Sequence, residues 1–354
     1  MAGNQKYNIE DIAGKGQGIL ATAAIARGEL IIAEHTLLDS QIGPDVLYNP
    51  KTFFDAAGTH NGLTVLSAKY NMLTPEQQAV VLSLHNQYQD QPLHPNLLGI
   101  FSTNAFQRSV QFDGVEHTIL YICSTICRVN HSYRPNAVVN PNPLLGQVTL
   151  YATEAIPAGT EITVDYIANI NDFLTPCRPR REDLRRHYGF ECKCAVCRLP
   201  AKRLTPISKL RSDTAKLFSS IKEPPQLRGL VNLSVHARHK PEVISNIRSY
   251  IENLTALGAR DGKLKDAYMI RSEFHETYAA HANINSIGRR CTTCRFPIHP
   301  AVHLDLTIEA VREAIKIGTR CWGSVDAEVR ECQAKLQQLC EQRAAVPTSP
   351  PPSP

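Results

Sequence analysis

Four stretches of this sequence bring together residue types that chemistry uses. Cys192-Lys-Cys194-Ala-Val-Cys197 places three thiols within six residues, a spacing at which reduced cysteines suit a tetrahedral zinc ion. Arg128-Val-Asn130-His131-Ser-Tyr133-Arg-Pro-Asn136 gathers amides, an imidazole and a phenol, although a capped surface loop would account for it equally. Gly14-Lys15-Gly16-Gln17-Gly18 would let a ligand approach the backbone and would offer N–H groups to an anion. A tight hairpin is the simpler reading, because the Rossmann spacing and the Lys-Ser/Thr ending of a phosphate loop are both missing. Gly159-Thr-Glu161-Ile-Thr-Val-Asp165-Tyr166 is a turn feeding a strand that ends on tyrosine, a position more often used for packing. A further pair, Cys291-Thr-Thr-Cys294, with His299 and His303 downstream, has the spacing of a metal hook; a buried pair of free thiols is the simpler account.

Holding such groups in place requires strands and turns, and the pattern supplies them. The first 40 residues read as short strands and turns, with a strand over Glu29–Ile32. Residues 44 to 99 read as a helical insertion in which Thr74 caps a helix opened by Pro75, with Val80, Val81 and Leu84 following. From about Ile100 to Tyr166, β-like runs return, among them Val148–Ala152 and Glu161–Asp165. Beyond residue 200 the pattern is helical. Val243 or Ile244, Ile247, Ile251 and Leu254 form one stripe; Val325, Val329, Cys332, Leu336 and Leu339 form another, capped by Ser324. Cys321, Cys332 and Cys340 read as structural residues within these helices. The tail 347–354, PTSPPPSP, cannot pack.

Composition narrows the class. The 354 residues amount to about two domains, with 43% hydrophobic and 20% charged residues. A net charge of +5 is too mild to argue for nucleic-acid binding, and no run is apolar enough to span a membrane. Eleven cysteines follow a start that has no apolar export core, which favours reduced thiols in the cytoplasm or nucleus and excludes a secreted disulfide scaffold.

In this order, the Gly14–Gly18 turn, the Asn130-His131 segment, the Glu161–Tyr166 segment and the cysteines after it resemble the SET-domain methyltransferases, in particular the SET-plus-MYND lysine methyltransferases and their fungal-type relatives. Gly99–Phe106 looks like that family's Asn-containing strand, and Arg180–Cys197 is similar to its post-SET segment. The resemblance covers about residues 8 to 200. It implies an α+β fold: small sheets with a helical insertion and a knot-like active site in residues 1–176, a post-SET segment over 177–200, and an all-α domain over 201–346 that is TPR-like. It implies S-adenosylmethionine as methyl donor, a lysine in a protein as acceptor, and a monomer with neither nucleic acid nor membrane as partner.

Residue by residue, the resemblance gives Lys15, Gly16, Gln17 and Gly18 to the methionine end of the cofactor, with Lys15 meeting its carboxylate. It sets Asn104 and Asn130 along the cofactor, puts His131 at the adenine through backbone groups, and stacks Phe190 on the adenine. Tyr166 corresponds to the catalytic tyrosine and Tyr188 to a second aromatic near the lysine channel. In the family a cysteine three residues after the motif asparagine completes a zinc site; here that residue is Tyr133. Zinc held by Cys192, Cys194 and Cys197 would then need Cys177, Cys127 or Cys123 as substitute, with Cys177 the first choice, or a water; the site without zinc is the third reading. Residues 39 to 99 contain no cysteine, so the MYND zinc module has no place there. The alternatives are a diverged enzyme acting on a small amine and a non-catalytic adaptor.

Overall fold

The computed structural model describes residues 5–40, 59–90, 96–112, 115–142, 146–167, 170–222, 241–285 and 300–346. Residues 44–58 of the expected insertion, Cys291, Cys294, His299 and the tail 347–354 lie outside these. The chain divides into two units, Met1–Tyr166 with Arg178–Arg198, and Ile167–Cys177 with Leu199–Pro354. The division does not follow the expected boundary at residue 176, because Phe173 and Leu174 are buried with Phe218, Ile247 and Tyr250 of the helical unit.

Ten short strands are described in the first unit. They are β1 (Tyr7–Ile12), β2 (Gly16–Ala21), β3 (Leu30–His35), β4 (Leu38–Asp39), β5 (Phe106–Phe112) and β6 (Val115–Ile122), then β7 (Asn130–His131), β8 (Ala137–Asn142), β9 (Gln147–Ala152) and β10 (Glu161–Val164). Three sheets result, in the orders β1-β2-β10-β7, β3-β9-β8 and β4-β6-β5. The first sheet matters most for chemistry. β10 pairs antiparallel with β2 through Ile19↔Ile162 and parallel with β7 through Thr163↔Asn130, so segments far apart in sequence meet on one strand. Its apolar face buries Ile19, Ile162 and Val164 against Val148, Leu150 and Ala152 of β9. Each such branched side chain contributes about 1.5–3 kcal/mol on leaving water.

Helices α1 (Thr59–Asn71), α2 (Pro75–Leu82) and α3 (Asn96–Asn104) form the insertion. Thr74 caps α2 as expected: its hydroxyl accepts from the Gln77 N–H while the Gln77 side chain accepts from the Thr74 N–H. The strand expected over Gly99–Phe106 is a correction. Residues 96–104 are helical, with Leu98, Ile100 and Phe101 buried, and extended backbone begins only at Phe106. Gly99 permits this packing, since a Cβ there would lie 2.3 Å from the Asn86 side chain.

The helical unit contains α4 (Ile170–Leu174), and α5 (Cys177–Tyr188) follows it in the chain. Then come α6 (Ala201–Lys222), α7 (Pro241–Ala256), α8 (Gly262–Asn285), α9 (Pro300–Trp322) and α10 (Ala327–Ala345). The stripe Ile247, Ile251, Leu254 is buried on α7. On α10 the buried residues are Val329, Cys332 and Leu339, and the cap is Asp326 rather than Ser324: its carboxylate accepts from the Glu328 N–H. Val325 therefore falls outside the helix and is exposed. No helix among the described residues is long and apolar enough to cross a membrane.

Candidate active site

A cavity of about 730 Å³ opens in the first unit, and the separated sequence motifs converge on it. Its lining includes Lys15, Gly16, Gln17, Asn104, Asn130, His131, Tyr166, Tyr188, Phe190, Cys192 and Cys194.

The Gly14–Gly18 stretch is both a hairpin and a cavity wall. β1 and β2 are joined by a three-residue turn closed by the Lys15 N–H bonding the Ile12 carbonyl, with Gly14 and Gly16 at φ of 72° and 69°. Gly18 is not in the lining. Its role is space: a Cβ would lie 2.6 Å from Ile12 Cγ1 and 2.7 Å from Asn130 Nδ2. Gly18→Ala is therefore expected to cost about 1–3 kcal/mol of stability by overpacking, read as a lower urea midpoint with an unchanged slope.

Asn130 ties the turn to the sheet, its amide donating to the Gln17 carbonyl at 3.2 Å and to Glu161 Oε1 at 3.0 Å. Lys15 pairs with Glu161 Oε2, so the ammonium expected to meet a cofactor carboxylate already has a carboxylate partner. Glu161 was not singled out from sequence, and neither was Arg128, which donates to Gln17 Oε1 and to Ser83 Oγ and so joins the turn to the insertion. Asn136 laces the next turn to β10: its amide donates to the Glu161 carbonyl at 2.9 Å, and its oxygen accepts from the Thr163 N–H at 2.8 Å. The short 3-10 turn Ile126–Arg128 starts on Glu34, whose carboxylate accepts from the Thr125 and Ile126 N–H groups.

Aromatic rings form the other wall. Tyr166 and Tyr188 lie 5.0 Å apart between centroids, with Phe190 6.2 Å from both Tyr166 and His131. The Tyr166 hydroxyl donates to the Val129 carbonyl at 2.8 Å, and its backbone N–H donates to His131 Nδ1 at 3.1 Å. That bond leaves the imidazole proton on Nε2. Burial lowers the His131 pKa to about 3, so the ring is neutral near pH 7. Burial also raises the Tyr166 phenol, and it pushes Tyr188 to about 12, so both act as neutral hydroxyls. Phe190 reaches this wall because Gly189, at φ 73°, ends α5 in the left-handed region.

The Sγ atoms of Cys192, Cys194 and Cys197 lie within 4.8 Å of one another. The close Cys192 and Cys197 thiols lower the pKa of Cys194. Among the described residues no fourth metal-binding side chain joins them. Cys177, the first-choice fourth ligand, is buried at the start of α5 and is not in the group. Three residues further on, the Arg180 guanidinium is stacked 3.6 Å over the ring of Tyr133, the residue at the family's fourth position. Cys123 and Cys127 bond each other instead, the Cys127 sulfur accepting from the Cys123 N–H, and burial pushes the Cys127 thiol up to about 12.

Residues 16–167 match the family model of the SET domain. The chain is 29% identical over 205 residues to histone-lysine N-methyltransferase set5 of Schizosaccharomyces pombe, covering 58% of this chain and 54% of that protein. It is 33% identical over 111 residues to SET domain-containing protein SmydA-8, isoform B, of Drosophila melanogaster, covering 31% and 23%. Human histone-lysine N-methyltransferase SMYD1 is 28% identical over 142 residues, covering 37% and 26%. The chain thus spans about half the length of the first relative. With the ordered motifs meeting around one cavity, these matches show a SET domain over residues 16–167.

Proposed function

We propose that the chain transfers a methyl group from S-adenosylmethionine to a lysine side chain of a protein. The observation that carries this is the Tyr166 hydroxyl, fixed on the Val129 carbonyl and lying beside the Tyr188 ring in the cavity wall. When bound, the cofactor supplies an electrophilic methyl on a sulfonium, already an excellent leaving group. The chain then has to bind, orient and keep water out. Lys15, Asn130 and the turn N–H groups serve the amino-acid end, and Phe190 gives a flat apolar face to the purine. Tyr166 and Tyr188 form a dry aromatic passage that favours the neutral amine, since burial lowers a lysine's pKa. A carbon–nitrogen bond forms as the carbon–sulfur bond breaks, and the methylammonium product loses its extra proton to water. The names of the S. pombe and human relatives favour a protein lysine over a small amine.

Cys192, Cys194 and Cys197 would hold a structural zinc ion beside the cavity. A mutually close thiol set with one sulfur already drawn toward thiolate suits that ion. The metal would fix the segment that carries Phe190.

Calorimetry with S-adenosylmethionine, followed by incubation of the full chain with labelled cofactor and a protein extract, tests the main reading. Binding with label recovered as methyl-lysine is expected. Binding with no labelled protein would move the acceptor to a small amine, and no binding would leave the adaptor reading.

A further inference from the structure

Glu161 stands behind the cavity wall and holds two of the residues in it. Its carboxylate pairs with the Lys15 ammonium through Oε2 and accepts from the Asn130 amide at 3.0 Å through Oε1. Lys15 and Asn130 belong to the cavity lining, and Glu161 does not. The three meet because β10 pairs with both neighbours: Glu161 lies opposite Leu20 of β2, and Thr163 lies beside Asn130 of β7. The Glu161 and Lys15 side chains are 20% and 31% exposed, so water screens the two charges only in part.

We propose that Glu161 sets the balance between methyl donor and spent cofactor: by neutralising Lys15, it keeps the site from rejecting the cationic donor in favour of the neutral product. The proposal rests on the methyl-transfer reading and deepens it. S-adenosylmethionine carries a positive sulfonium that S-adenosylhomocysteine lacks, and the two are otherwise alike at the amino-acid end. That sulfur is three bonds from the carbon bearing the carboxylate. A cofactor carboxylate held at Lys15 therefore brings the sulfonium within about a Debye length of the ion pair, roughly 8 Å at physiological ionic strength. An unbalanced lysine there would repel the donor and not the product; paired with Glu161, it adds no net charge. Glu161 acts through Lys15 without reaching the cavity, which makes it a positioning residue. Arg128, Lys193 and Arg198 also line the cavity, with Glu191 of opposite sign, but these charges act in every variant below and cancel from a comparison of ratios. Glu161 also helps to hold the Asn130 amide, which donates to the Gln17 carbonyl at 3.2 Å as well. That duty affects both ligands alike and cancels in the same way.

The test is a pair of dissociation constants, for S-adenosylmethionine and S-adenosylhomocysteine, measured by calorimetry on the full chain and its variants. Glu161→Gln keeps an oxygen for the Asn130 amide and removes the charge. It should weaken the donor about three- to tenfold more than the product, the size expected of one unbalanced charge at this range in a partly exposed site. Lys15→Met removes the opposite charge. It should move the ratio the other way, weakening the product more than the donor by a similar factor. The double variant should return the ratio to within about twofold of the unmutated chain. Both single-variant shifts should shrink in about 1 M salt, where the Debye length is about 3 Å. Equal losses of both ligands in Glu161→Gln, or a ratio that moves the same way in both single variants, would mark a structural role and overturn the proposal while leaving the cofactor reading standing. An unmutated chain that binds neither ligand would overturn both. Should Glu161→Gln fail to fold, Lys15→Met decides alone: a ratio unmoved, or shifted toward the product, counts against the proposal.

Discussion

Tyr166→Phe is expected to lower kcat about a hundredfold or more, in line with the roughly 10²–10³ lost when one transition-state donor is removed. Cofactor affinity by calorimetry should be nearly unchanged. The two effects separate because the ring and the hydroxyl do different work. The ring remains in contact with Tyr188 and Phe190, so the wall survives. Only the hydroxyl goes, and with it the bond to the Val129 carbonyl. That loss should cost about 1–3 kcal/mol of stability for an acceptor left without its donor, readable by urea unfolding and too small to explain a collapse in turnover. A loss confined to kcat and kcat/KM marks an interaction made in the transition state. Equal losses in turnover and cofactor affinity would mean that the ring, and not the hydroxyl, is the working part.

The second large effect is expected from Cys194→Ser. Cys194 lies within 4.8 Å of both neighbouring sulfurs, which lower its pKa, so it is the sulfur most ready to bind a metal ion. Without it the chain should bind no zinc, and affinity for S-adenosylmethionine should fall at least about tenfold, or about 1.4 kcal/mol. The link is local: Phe190, Glu191, Cys192 and Cys194 all line the cavity, so a loosened cluster removes part of its wall. Metal analysis and calorimetry on the same preparation check both halves. Full cofactor affinity in a zinc-free Cys194→Ser chain would detach the cluster from the site.

What could be read from sequence divides along a physical line. Features set by local rules were legible: the Thr74 cap, the α7 stripe, the hairpin at Gly14–Gly16 and the turn-strand leading to Tyr166. Features set by a distant partner were not. The helix over 96–104 depends on Gly99 fitting against Asn86, a contact no window around Gly99 reveals. Glu161 looks like an ordinary strand residue until Lys15 and Asn130 arrive on its two oxygens. Arg180 lies in an arginine-rich stretch where nothing local distinguishes the buried one from its neighbours. The Ser324 cap failed by two residues because Asp326, equally able to cap, stands nearer the first helical residue.

The pairing of β10 with both β2 and β7 bears on how the protein is made. β2 emerges from the ribosome about 140 residues before its partner strand, and the cavity's last wall follows some 30 residues later. The N-terminal hairpin can form early, but its second edge has no partner until then. Sheets closed by such distant segments are slow to assemble, because chain entropy is lost before the contacts that offset it form. During synthesis the second edge of the N-terminal hairpin is therefore bare, and a growing chain of this protein depends on whatever shields such edges until β10 is out.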